Sequence, residues 1–151
     1  MTQEQIVVDS NVFIVALVEE SRLNAEEQKQ RPLAVSYIDG LEGGRYVIHL
    51  PRIAVIEIAG VTRLKAGIAL AAAIKARLAQ WAGLGLIRLY DLQEPRMTSA
   101  IELVIQHNLS RRRSLSAPDA NFISLAEELG VPLITFEKYF SSVSSRAIVP
   151  V

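Results

Sequence analysis

The chain has 151 residues, half of them hydrophobic, and its 16 Lys plus Arg balance 16 Asp plus Glu. A chain of this length suits a single domain, residues 1–151, which buries about 70% of the surface that its unfolded form would expose. The charge balance excludes a global basic excess for nucleic-acid binding, and the absence of cysteine excludes disulfides and thiolate metal sites. This composition fits a cytoplasmic protein, and because no apolar run is long enough to cross a bilayer, no membrane association is expected.

Helical and strand patterns alternate along the chain. The first half predicts a strand at 6–8, a helix at 11–19, a helix from Pro32 to the Gly43-Gly44 stop, a strand at 45–50 and a helix from Pro51. The second half predicts an Ala-rich helix to about Trp81, a strand at 87–89, a helix at 99–107, a polar loop at 108–118, a helix from Pro118 to Gly130, and strands at 131–136 and 147–149. Because each parallel return needs a long crossover, the pattern predicts an α/β fold: a single-domain α/β/α sandwich with a central parallel sheet of four to five strands.

Two of the predicted helices have apolar surfaces whose packing partner the sequence does not identify. The helix after Pro51 carries Ile53, Ile56, Gly60 and Leu64 on one face. The Ala-rich helix, 66–82, either packs against a second subunit or fills the core, and the sequence leaves both alternatives open.

Four acidic residues are expected near one edge of this sheet. Ligands of open parallel sheets bind beyond the carboxyl ends of the strands. Asp9 directly follows the first strand and Glu137 follows the fourth, so both belong to that edge. Glu57, in the helix after the second strand, can reach it, whereas the rule alone leaves the place of Asp119 open.

The combination of acids indicates a metal site. Converging carboxylates would repel one another by about 4 kcal/mol per pair at a separation of about 4 Å. Ligand sets made only of oxygen favour Mg²⁺ or Mn²⁺, which would cancel the repulsion and activate water against a phosphodiester. We therefore predict metal-dependent hydrolysis.

Each acid also has a purely structural interpretation. Asp9 can cap the first helix, and Ser116 with Asp119 has the spacing of a capping box. Glu57 can be a surface glutamate, although its apolar neighbours make an unpartnered charge costly, and Glu137 can be an ordinary turn acid. The prediction therefore depends on the four acids together.

Three segments, VVDSNVFI, LPRIAVIEIAGV and SAPDANFISLAEELGVPLITFEKYF, resemble the motifs of the PIN domain family, and among its members the VapC-type toxin ribonucleases. The resemblance implies four catalytic, metal-binding carboxylates and three supporting polar residues: Asp9, Glu57, Asp119 and Glu137, and Ser10, Asn11 and Thr135. It also implies Mg²⁺- or Mn²⁺-dependent cleavage of an RNA substrate, a homodimer and a small antitoxin protein as partner. Two positions depart from the family pattern, because Glu137 stands where aspartate is usual and Ser116 where arginine is frequent.

Other residue groups have competing interpretations. Arg111, Arg112 and Arg113 either contact RNA phosphates or form a solvated charge run. His49 and His107 lack the helical pairing of a zinc site. The aromatic residues are expected in the core or an interface rather than as base-stacking platforms: Trp81, Tyr90, Phe122 and Phe136.

Two further function classes stand beside the ribonuclease. One is an inactive or weakly active module of the same fold that binds RNA or a protein partner, which Glu137 keeps open. The other is phosphate transfer through an aspartyl nucleophile, which is disfavoured because Asn11 stands where a dehalogenase-like motif requires a second aspartate.

Overall fold

The structure, a computed structural model of the chain, describes residues 2–110 and 113–151. Its strands are β1 Glu4–Val8, β2 Tyr46–Pro51, β3 Ile87–Tyr90, β4 Asn108–Ser110, β5 Arg113–Ser114, β6 Leu133–Ile134 and β7 Ala147–Ile148. Its α-helices are α1 Ser10–Leu17, α2 Ala25–Glu42, α3 Ile53–Ala66, α4 Ile68–Gly83, α5 Arg96–Gln106, α6 Ala117–Leu129 and α7 Phe140–Val143.

The central sheet is parallel throughout and has the strand order β3-β2-β1-β6-β7. The connections move from β1 out to β3 and then return across β1 to β6. Because parallel crossovers are right-handed, this reversal places α1 to α4 on one face of the sheet and α5 with α6 on the other. The predicted α/β/α sandwich is confirmed, with five parallel strands in the described part of the chain.

The core lies between the sheet and its two helical layers. Phe13 of α1 and Phe122 of α6 are fully buried against the sheet, whose strand β2 is buried along its whole length. Trp81, Phe122 and Phe136 are core residues, as predicted from the sequence. None of the helices among the described residues is both long and apolar enough to cross a membrane.

Helix α2 begins at Ala25, so the predicted start at Pro32 is wrong. The side chain of Asn24 accepts a hydrogen bond from the backbone N–H of Glu27, and the Glu27 carboxylate accepts one from the N–H of Asn24, both at 2.9 Å. This reciprocal capping box satisfies two free donors at the helix start. Pro32 consequently lies inside the helix.

The segment predicted as a polar loop at 108–118 contains the short strands β4 and β5, which pair antiparallel to each other apart from the main sheet. The expectation of an entirely irregular loop is therefore wrong. Polar composition failed as a guide here because two short strands can pair through their backbone hydrogen bonds whatever their side chains are.

The apolar face of α3 points away from the core. Ile53, Ile56 and Leu64 are 57%, 73% and 87% exposed. In contrast, α4 turns Ile74, Leu78 and Trp81 inwards, so the Ala-rich helix fills the core, and its packing against a second subunit stays a prediction.

Candidate active site

Asp9 lies at the carboxyl end of β1, where the strand order reverses and open α/β sheets bind their ligands. It holds the N-cap position of α1 but makes no side-chain capping hydrogen bond. The hydroxyl of Thr135, which follows β6, instead donates to its Oδ2 at 2.9 Å. The structural interpretation of Asp9 as a helix cap is therefore wrong.

The charge of Asp9 is poorly accommodated by the surrounding protein. Asp9 is only 5% exposed, and burial raises the pKa of its carboxyl from 3.8 to about 7. The Thr135 hydrogen bond lowers this pKa, whereas the negative charges of Asp119, Glu57 and Glu137 raise it. All four predicted acids thus share one electrostatic environment.

Glu57 is half-buried on α3, one turn after Ile53. Burial raises the pKa of Glu57, the Ser10 hydroxyl lowers it, and the charge of Asp119 raises it. Ser10 is itself fully buried, and its Oγ lacks a partner at the distance and angle of a hydrogen bond. Ser10 therefore presents an incompletely satisfied oxygen beside the acids.

Asp119 lies in the first turn of α6 and reaches the same edge of the sheet, which the sequence had left open. Its backbone N–H donates to the N-cap Ser116 Oγ at 3.2 Å, so Ser116 caps α6 and forms one half of the predicted capping box. Its carboxylate accepts a hydrogen bond from the Tyr139 hydroxyl at 2.5 Å. Tyr139 was not predicted as a site residue, because its place beside Asp119 depends on the turn after β6 and not on any spacing in the sequence.

Glu137 differs from the other acids because it is exposed. Its backbone N–H donates to Thr135 Oγ1 at 3.0 Å, so one hydroxyl links Glu137 to Asp9. Asn11, half-buried in α1, lines a groove of about 660 Å³ together with Glu137 and Tyr139. The supporting residues predicted from the sequence thus surround the acids.

The other three acids lie close enough to Asp9 to raise its pKa, but the acids are not at the distances at which side chains share one metal ion. Among the described residues, no three acidic or histidine side chains stand close enough to hold one metal ion. The donor set nevertheless fits a hard divalent cation, since it consists of the Ser10 oxygen and of carboxylate oxygens whose charges raise the pKa of Asp9 and Glu57.

Two other predicted groups have different outcomes. Arg111 and Arg112 lie outside the described residues, and so does the side chain of Arg113, so phosphate binding by the three stays a prediction. His49 is buried and hydrogen-bonded on both ring nitrogens, with Nδ1 and Nε2 each 2.7 Å from Tyr90 Oη and Gln5 Oε1, respectively. His49 is therefore a core residue whose polar atoms are satisfied.

Comparison with known proteins places the chain in a structural context. A family model described as PIN domain matches residues 6–145. The structure of VapC20 from Mycobacterium tuberculosis, a Sarcin-Ricin loop cleaving toxin, has a TM-score of 0.68 and 17% identity, covering 92% of this chain and 95% of that one. FitAcB from Neisseria gonorrhoeae has a TM-score of 0.64 and 19% identity, covering 96% of each chain. These identities show the shared fold alone, and no curated protein gives a significant sequence match.

Proposed function

We propose that this chain, which belongs to the PIN domain family, is a metal-dependent endoribonuclease that hydrolyses RNA phosphodiester bonds. The observation that carries the proposal is Asp9, a carboxylate buried at the topological switch point whose pKa is raised to about 7. An ionised carboxylate is costly in such a place unless a cation compensates it. Selection for stability alone would not favour an acid there.

Asp9, Glu57, Asp119 and Glu137 would hold Mg²⁺ or Mn²⁺, the ions that such oxygen ligands prefer. When bound, a divalent ion neutralises converging carboxylates and promotes the ionisation of a water that attacks phosphorus. Family membership supports this assignment, because PIN domains generally use divalent metal ions.

The residues around the acids hold them in position. The Thr135 hydroxyl donates a hydrogen bond to Asp9 Oδ2, and Thr135 Oγ1 accepts one from the backbone N–H of Glu137. Tyr139 holds the Asp119 carboxylate, and the Ser10 hydroxyl favours the ionised form of Glu57. The hydrogen bonds to Asp9 and Asp119 keep these two carboxylates oriented before substrate arrives, as preorganised catalysis requires.

The proposal includes a biological role as the toxin of a toxin–antitoxin pair. Its support is the shared fold with VapC20, a Sarcin-Ricin loop cleaving toxin, together with the sequence motifs. A small antitoxin protein as partner, a homodimer and a cytoplasmic location complete it, and each follows from the family resemblance or the cysteine-free composition.

Cleavage of a mixed RNA pool tests the enzymatic proposal. Purified protein is incubated with Mn²⁺, Mg²⁺ or EDTA beside Asp9→Asn, which removes the charge but preserves the shape. We expect cleavage with either metal and none in EDTA. In Asp9→Asn we expect cleavage to fall about 100-fold or more, because losing a metal ligand costs more activity than losing a residue that supports a ligand.

Asp39→Asn is the matched control, since Asp39 is an exposed acid on α2. It makes the same chemical change away from the site and should cleave as the unmodified protein does. Cleavage that persists in EDTA, or that Asp9→Asn retains, would contradict the proposal.

A second candidate function, a binding module with the same fold, is favoured by two observations. Asp119 is engaged by Tyr139, and no three acids among the described residues reach coordination distance. Titration of the protein with Mn²⁺ by calorimetry separates the two functions, since the nuclease must bind the ion through Asp9 and a binding module need not.

A further inference from the structure

The groove of about 660 Å³ adjoins the acids on the side of α2. Asn11, Glu137 and Tyr139, three residues of the candidate site, form part of its wall. Tyr139 also donates a hydrogen bond to the carboxylate of Asp119, so the wall is in direct contact with a second acid of the site. A chain whose reacting bond lies at the acids therefore has a path into this groove.

The lining of the groove is mainly polar. The start of α2 and its N-cap contribute Asn24, Glu26, Glu27 and Gln30 to the wall. Amide side chains such as those of Asn11 and Gln30 can hydrogen-bond to the sugar and phosphate oxygens of a nucleic acid. This lining suits a polar, hydrated chain better than an apolar side chain.

The cations near the acids differ in whether a carboxylate already neutralises them. Lys65 Nζ lies 2.8 and 3.0 Å from the two carboxylate oxygens of Glu27, which this ion pair neutralises. Arg52, which follows β2, is paired with Asp91 at 2.7 Å. Lys138 lines the groove and, in the described part of the chain, has no carboxylate oxygen within 4.0 Å of its ammonium group. Its charge is therefore available to a ligand.

The turn that carries Lys138 is held in place by hydrogen bonds. The backbone N–H of Glu137 donates to Thr135 Oγ1 at 3.0 Å, and that of Phe140 donates to the Glu137 carbonyl at 3.1 Å. The Lys138 carbonyl accepts from the N–H of Ser141 at 3.3 Å, and Phe140 is fully buried. The backbone of Lys138 is thus fixed beside an acid of the site, while its side chain is exposed.

We propose that this groove binds the backbone of the RNA substrate, and that the ammonium group of Lys138 contacts a phosphate next to the bond that is cut. The inference rests on the proposed function, which brings a phosphodiester to the acids. The exposed acids Glu26 and Glu137 in the wall repel a polyanion, and an unpaired cation beside them offsets this repulsion. A lysine is a compact charge with three rotatable donors, which suits a phosphate group.

A phosphate contact adds affinity without selecting a base, because phosphates carry no direct sequence information. Lys138 is therefore a substrate-binding residue that holds the strand in register with the acids. Its loss should weaken the binding of all RNA sequences alike.

The salt dependence of RNA binding tests the contact. A short labelled single-stranded RNA is bound to the Asp9→Asn protein, in which it stays intact, and its affinity is measured by fluorescence anisotropy over a range of KCl concentrations. In this background, Lys138→Gln should lower the slope of log affinity against log salt by about 0.7, the value for one phosphate contact of a single strand. The same relation predicts a loss of affinity of about fivefold at about 0.1 M salt.

Two further variants separate a phosphate contact from a general effect of charge. Lys75→Gln makes the same change at an exposed lysine of α4 that does not line this groove, and it should leave the slope and the affinity unchanged. Lys138→Arg keeps the positive charge and should keep both quantities near those of the parent protein. Retention by arginine would show that the charge, and not the packing of the side chain, is what RNA binding requires.

Cleavage kinetics with Mn²⁺, in protein with Asp9 intact, give an independent measurement. A contact with a flanking phosphate binds the substrate and the transition state alike, so Lys138→Gln should raise KM about fivefold at about 0.1 M salt and leave kcat unchanged. A fall in kcat at unchanged KM would contradict this role.

The outcomes separate this inference from the proposed function. Cleavage by the unmodified protein, with RNA affinity and salt slope that are unchanged in Lys138→Gln or that change equally in Lys75→Gln, overturns the phosphate contact and leaves the nuclease standing. RNA binding that depends on Lys138, without any cleavage by the unmodified protein, supports the contact and overturns the nuclease. RNA that is neither bound nor cut overturns both.

Discussion

Helices α1 and α2 begin with similar N-cap residues, Asp9 and Asn24, whose side chains have different roles. Asn24, exposed, forms a complete capping box with Glu27 and stabilises the start of α2. Asp9 holds the same position in α1, yet it makes no capping bond and directs its carboxylate to Thr135 in the interior. The position at the end of a sheet strand, and not the residue type at the N-cap, therefore distinguishes the candidate site residue Asp9 from the structural cap Asn24.

The largest expected effect is the loss of folding stability that the buried charge of Asp9 causes in the metal-free protein. Burial raises its pKa from 3.8 to about 7, so the folded state binds this proton more tightly than the unfolded state does. The resulting stabilisation is complete below about pH 3.8 and is lost as the pH rises through about 7. A pKa difference of this size corresponds to about 4 kcal/mol.

Asp9→Asn should therefore be more stable than the unmodified protein at pH 8, by up to about 4 kcal/mol, and should lack this pH dependence. Urea unfolding in EDTA at pH 5 and pH 8 measures the difference. An Asp9→Asn protein that loses stability between these pH values as the unmodified protein does would show that Asp9 carries no such cost.

A smaller effect is expected at Thr135, which positions Asp9. Thr135→Val preserves the shape but removes the hydroxyl that bonds Asp9 Oδ2 and Glu137 N–H. We expect Mn²⁺ affinity to fall roughly 10- to 100-fold, as is typical when a metal ligand loses its supporting hydrogen bond. Thr135→Ser keeps the hydroxyl and should restore the affinity, whereas equal binding by the Val and Ser variants would make Thr135 merely a packing residue.

The smallest effect belongs to the conventional cap. Asn24→Ala removes one half of the capping box of α2 and should lower the free energy of unfolding by about 1 kcal/mol. Urea unfolding measures the loss. An Asn24→Ala protein as stable as the unmodified one would show that the capping box does not stabilise the start of α2.

The sequence predicts the sheet and the edge with the candidate site better than the helix boundaries. β1 and β2 contain the apolar runs 6–8 and 46–48, β6 is apolar throughout, and the polar residue after β1, Asp9, marks where that strand ends. The start of α2 was mistaken because Pro32 is a strong helix-initiating signal, whereas the Asn24 and Glu27 capping box outweighs it.

One residue of the candidate site was beyond sequence analysis. Tyr139 reaches Asp119 across 20 residues through a turn whose path no local pattern encodes.

The hydrogen bond from Thr135 to Asp9 joins residues 126 positions apart in the chain. A ribosome synthesises the protein from its N-terminus at about 5–20 residues per second, so Asp9 emerges long before Thr135. Strand β6, which lies beside β1 in the finished sheet, is made only after β2 and β3 of that sheet. The acid cluster that we propose to cut RNA is therefore incomplete until Thr135 and Glu137 have been made, so the proposed nuclease would stay inactive towards the translating ribosome and its message until then.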